Sequence, residues 1–171
     1  MTGSSSLIPC IGCGALVADV DGPTYRYPDA ASPGCWAVYG EVLAREYGEF
    51  RYPSAHRLAV DAYAVQHPGM PTPQTVQSVT VHLISLCAVL ERGYEAPRVA
   101  ELMRRAIARY KGRFVWLERP ASLGSVTVLD VAQATSLAEH VRCVEGWARA
   151  AWTAWSAHHR AIHRWVDRLE A

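Results

Sequence analysis

Proline and glycine cut residues 32–93 into pieces whose lengths suit helices. Ser32-Pro33 sets a capping residue before a proline at the first helical position, and the segment runs to about Tyr47 before Gly48. A second opens at Ser54 after Pro53 and closes at His67, stopped by Pro68-Gly69. A third begins near Thr72-Pro73 and ends at Glu91-Arg92-Gly93, and its stripe Val76, Val79, Leu83, Leu86, Leu90 keeps the 3-4 spacing of a core-facing helix. Connections this short make neighbouring helices antiparallel, so counting from each turn shows which residues share a level.

The spacing predicts a fourth helix over 96–110, with Val99, Met103, Ala106 and Ile107 inward. Residues 111–127 form a connector, Asp130 to Ala134 a short helical turn, and the chain is helical from Ser136 onward with a break near Gly146 or Ser156. Residues 1–31 hold few periodic apolar positions and many turn formers, so they read as an irregular arm and not as helix or sheet. With 171 residues, half of them apolar, the chain is expected to be one domain: an arm over 1–31 and an all-α bundle of four to five helices over 32–171.

Charge excludes some partners. Seventeen Lys and Arg against sixteen Asp and Glu leave +1, which argues against nucleic acid held by a clustered cationic face. No apolar run approaches a membrane span, and the start lacks the basic and apolar regions of a signal peptide. The expectation is a cytoplasmic protein with no membrane or nucleic-acid partner.

Five cysteines, an odd number, argue against a disulfide framework. Cys10-Ile-Gly-Cys13-Gly suits a zinc knuckle, in which the chain turns back on its thiolates; a redox pair would sit in a βαβ pattern, and none surrounds it. Level counting supplies the other half of a site. Cys35 lies twelve residues before Tyr47, and twelve after Ser54 is Gln66, beside His67. The expected zinc ligands are therefore Cys10, Cys13, Cys35 and His67, with Cys35 near a helix N-terminus that favours its thiolate. The competing reading makes Cys35 a packed core residue and His67 an ordinary helix end.

The same counting gives a second constellation. His56 and His67 are eleven residues apart and share one stripe of their helix, and Cys35 and Glu46 are also eleven apart. Glu46, His56 and His82 are thus expected to converge, with Asp61 beside them to orient a histidine. Two histidines and a carboxylate can bind a metal with open positions or move protons; they can equally complete a structural hydrogen-bond network. Near the C-terminus, Trp147, Trp152, Trp155 and Trp165 read as core anchors. His158 or His159 could line an indole-walled pocket, and His159 and His163 form an i, i+4 pair with either chelating or solvated geometry.

Cys10-x-x-Cys13-Gly14, Ser32-Pro33-Gly34-Cys35-Trp36, the string Asp61-Ala62-Tyr63-Ala64-Val65-Gln66-His67-Pro68-Gly69 and His82-Leu83-Ile84 resemble a bacterial, actinobacterial-type family of uncharacterised proteins with a domain of unknown function. The resemblance implies that these motifs belong to one domain, and it implies no activity.

Two function classes follow. One is a metal-dependent enzyme acting on a small molecule by hydrolytic or transfer chemistry, with His56, His82, Glu46 and Asp61 as its catalytic residues. The other is a non-catalytic structural-zinc module that binds a partner protein, with Thr24-Tyr25-Arg26-Tyr27-Pro28 as contact surface.

Overall fold

The computed structural model describes residues 6–171; the first five residues, where the expected arm and the segment read for a leader begin, lie outside them. The chain is an all-α bundle. Its elements are strands β1 (Leu7–Pro9) and β2 (Leu16–Ala18), then helices α1 (Pro33–Tyr47), α2 (His56–Gln66), α3 (Pro73–Leu90), α4 (Ala96–Tyr110), α5 (Val128–Ala132), α6 (Leu137–Ala154) and α7 (His159–Glu170). The helical turn expected at 130–134 is α5, and the C-terminal helix breaks at a 3-10 turn over Ser156–His158. Both raise the helix count above four or five.

The arm departs from its irregular reading. β1 and β2 pair antiparallel, Ile8 opposite Val17, and the turn between them carries both cysteines. Within that turn Gly14 N–H donates to the Cys10 carbonyl at 2.9 Å and Cys10 N–H to the Ala15 carbonyl at 2.8 Å. Three residues per strand are too few to show an alternation in the sequence, so the knuckle turn makes the hairpin and not strand propensity.

Caps fix where the main helices start. The Thr72 hydroxyl accepts Thr75 N–H while the Thr75 hydroxyl takes Thr72 N–H, a closed capping box at α3, and Thr127 with Asp130 builds another at α5. Ser32 behaves differently. Its hydroxyl leaves α1 uncapped and accepts Ile11 N–H at 3.0 Å, tying the knuckle to the helix start.

α2 and α3 lie at the centre: α2 packs on α3 and α6, and α3 also meets α4, α6 and α7. α3 is 18 residues long with mean hydropathy 1.2, a length and composition that would also cross a membrane, and 61% of it is buried in the bundle. The three inner tryptophans anchor the core with every indole N–H engaged. Trp147 donates to Gln66 Oε1 at 2.7 Å, Trp152 to Glu91 Oε1 at 2.9 Å and Trp155 to the Val65 carbonyl at 3.1 Å. Ile107 does not point inward as its spacing predicts; it is 39% exposed and lines a surface cavity with Met103.

Candidate functional site

The knuckle turn, the first turn of α1 and the residue after α2 meet at one point. Cys10, Cys13, Cys35 and His67 place one ligand atom each within 4.8 Å of all the others. Cys13 Sγ lies 3.9 Å from Cys35 Sγ, Cys35 Sγ 3.4 Å from His67 Nε2, and Cys10 Sγ 3.7 Å from the same nitrogen. A tetrahedral ion with bonds of about 2.0–2.3 Å holds its donors about 3.5–3.8 Å apart. The cluster could hold a metal ion in this arrangement.

The surroundings fix His67 in its ligating tautomer and orient the sulfurs around it. His67 donates Nδ1–H to the Tyr63 carbonyl at 2.7 Å, which leaves the lone pair on Nε2 facing the sulfurs. Tyr63 stacks on the imidazole at 3.9 Å between centroids and directs its hydroxyl at Cys35 Sγ, 3.8 Å away. Burial pushes the Tyr63 phenol above its ordinary range, so it remains a donor. Ser32 N–H reaches Cys10 Sγ at 3.4 Å.

The thiols depend strongly on one another. Hydrogen bonds from Cys13 and Cys35 hold the Cys10 thiol far below its ordinary range. Cys13, bonded to that thiolate, is pushed up to about 11, and Cys35 higher still by Cys10, Cys13 and burial. Three sulfurs so close accept one negative charge and resist the next two, until a divalent cation between them reverses the balance.

Glycine makes the closure possible. A β-carbon on Gly12 would lie 2.2 Å from the Ala30 carbonyl oxygen and 2.4 Å from His67 Cδ2. Arg119, in the connector after α4, donates to the Gly12 carbonyl at 2.6 Å and holds the knuckle from outside.

The four residues expected at a second constellation occupy two separate clusters. Glu46, fully buried, receives His56 Nδ1–H and His140 Nε2–H on its two oxygens, each at 2.7 Å. That carboxylate joins the end of α1 to the starts of α2 and α6. Asp61, also fully buried, accepts His82 Nδ1–H on Oδ1 at 2.7 Å and the Ser85 hydroxyl on Oδ2 at 2.5 Å. Among the described residues, the groups able to hold a metal are the knuckle set and Cys87, Glu91 and His163; none joins Glu46, His56 and His82.

His140 and Ser85 are the members that sequence reasoning missed. Neither spacing nor motif marks His140, whose Nδ1 is the one buried side-chain polar atom without a partner among the described residues. Ser85 sits three residues after His82 on the same helical face, a signal that could have found it.

His82 lines a cavity of about 450 Å³ between α3, α4 and the arm. Arg26, Gln77, Ser78 and Met103 share that wall. Arg26 lies over the Tyr25 and Tyr27 rings, 5.7 and 5.2 Å from their centroids. His158, placed by the sequence near a pocket, donates to the Glu118 carbonyl at the surface. His159 stacks on Trp152 at 3.7 Å.

No curated protein and no solved structure is significantly similar to the chain. Family membership is established by sequence over most of its length, from the hairpin to the start of the 3-10 turn after α6. The chain belongs to the family of unknown function DUF5946, whose sequence model matches residues 8–156.

Proposed function

We propose that the protein is a zinc-clamped enzyme acting on a small anionic molecule, with zinc held by Cys10, Cys13, Cys35 and His67 and the proton moved by His82. Three thiolates and an imidazole are the donors of a closed structural site, and zinc there supplies folding energy. Its role in the reaction is indirect. The clamp fixes the arm, and the arm brings Arg26 and Tyr27 to the cavity beside His82. Five cysteines, none of them in a disulfide, suit the reducing cytoplasm.

The observation that carries the enzymatic reading is the Asp61–His82 pair at the wall of that cavity. Asp61 takes Nδ1–H and fixes the tautomer, so His82 Nε2 carries the lone pair and can accept a proton from water or from an acceptor hydroxyl. Ser85 holds the second Asp61 oxygen and keeps the carboxylate from turning. Arg26 offers a positive charge to an acidic substrate group. The chemistry is hydrolysis or group transfer, with His82 as base and then acid. Glu46 and His56 support the reaction only by holding α1, α2 and α6 together.

The test is turnover of a panel of carboxylate-bearing esters and amides and of phosphate esters. The expected result is hydrolysis that falls about 100-fold or more in His82→Ala and Asp61→Asn and survives in His56→Ala. Equal rates in wild type and His82→Ala would contradict it.

One observation favours the partner-binding alternative. The hairpin's outer face presents Leu7, Ile11 and Leu16 at 64%, 51% and 59% exposure. In that reading no substrate of the panel is turned over, and the zinc-held hairpin is the contact.

A further inference from the structure

A second group of metal-ligating side chains lies where α3 ends against α7, built from residues that the knuckle and the His82 cavity do not use. Cys87 stands fourteen residues past the start of α3, about 21 Å along its axis, and Glu91 follows one turn later. His163 on α7 completes a set whose ligand atoms all lie within 4.8 Å of one another. His163 Nε2 is 2.6 Å from Glu91 Oε2, and Cys87 Sγ is 3.9 Å from the same oxygen.

His159, one turn before His163, lies beside this set in a revealing tautomer. It donates Nε2–H to the Trp152 carbonyl at 2.9 Å, so its Nδ1 lone pair faces Glu91 Oε1 at 4.0 Å. A lone pair and a carboxylate oxygen at that distance become an attractive contact once a proton on Nδ1, or a cation close to both atoms, lies between them. Trp152 fixes the carboxylate from behind through its indole N–H, and it stacks on the His159 ring, 3.7 Å between centroids. These are the outer contacts that hold ligands in place around a metal.

We infer that Cys87, Glu91 and His163, with His159 Nδ1 as fourth donor, form a second site for a zinc-class divalent cation, separate from the knuckle and exchangeable. One thiolate, two imidazoles and one carboxylate suit zinc or cobalt and not the hard cations, which take oxygen ligands. Glu91 and the two histidines are partly open to solvent, giving an entry path that the buried knuckle lacks. Binding opens the 2.6 Å His163–Glu91 hydrogen bond and draws His159 Nδ1 in toward the other three donors. It releases the Cys87 thiol proton and moves the remaining His163 N–H to Nδ1.

The test is titration of the purified zinc-loaded protein with Co(II), following the thiolate-to-cobalt charge-transfer band and counting zinc in parallel by elemental mass spectrometry. The expected result is one equivalent of cobalt bound with a one-thiolate band, the zinc count unchanged, and the band lost in His163→Ala and in Glu91→Gln. Both substitutions are at partly exposed positions, so the fold survives them, and Cys87→Ala is a third check that the decision does not require. Absence of the band in wild type, or a band that persists in His163→Ala, would overturn the inference; cobalt that displaced knuckle zinc would give the second of these results.

Discussion

At Gly12 the structure has room for hydrogen and nothing larger, because Ala30 and His67 close on it from both sides. Gly12→Ala is therefore expected to displace His67 from the sulfurs, destabilising the fold by about 1–3 kcal/mol and releasing the bound metal. Urea denaturation read beside metal content checks both; an unchanged midpoint with metal retained would show that the contact relaxes freely. Residue types alone singled out this turn, since Cys-x-x-Cys-Gly places two thiols on one turn of chain, where the structure finds a group able to hold a metal. His140 was not legible in this way. A single histidine in the first turn of α6 gains its role only from Glu46, 94 residues earlier, and no local pattern encodes that pairing. Glu46 was singled out for its level, and it lies level with His56 as counted.

Between elements, counting succeeded across one turn and failed across the next. Cys35 and His67 meet as expected because the α1–α2 connection returns the chain to the height it left. His82 is expected level with His56, yet its partner is Asp61, five residues nearer the end of α2. His82 is nine residues past the start of α3 and Asp61 five before the end of α2, a difference of four residues or about 6 Å. Pro68 to Thr72 carry the chain past the end of α2, so α3 begins about a turn beyond it. The α3–α7 contact has a pH dependence of its own. Burial opposes ionisation of Glu91, but hydrogen bonds from Trp152 and His163 outweigh it and hold the carboxyl below its ordinary value of 4.5. A depressed folded pKa contributes stability that is complete above the unfolded pKa and is lost as pH falls through the folded one. Denaturant midpoints across the acid range should therefore show wild type and Glu91→Gln converging below about pH 4.5; a gap that stays constant with pH would mean that the carboxylate charge contributes nothing.

Across the whole molecule, distant segments converge on the knuckle. The hairpin supplies two sulfurs, α1 a third, the end of α2 the imidazole, and the connector after α4 adds Arg119. That connector is in turn held by Gln66, whose amide donates to the Leu123 and Val126 carbonyls at 2.9 and 2.8 Å while its oxygen accepts from Trp147. The bundle was legible from its punctuation and apolar stripes, whereas Gln66 was used only as a marker of level. In the proposed zinc-clamped form, removing the ion would free the arm, and with it the Arg26 wall of the His82 cavity. The most direct test of this account is elemental mass spectrometry on protein stripped of loosely held ions, comparing wild type with Cys13→Ser and His56→Ala. The account predicts about one zinc per chain in wild type and in His56→Ala and none in Cys13→Ser; a wild type free of metal, or zinc that follows His56 and not Cys13, would contradict it.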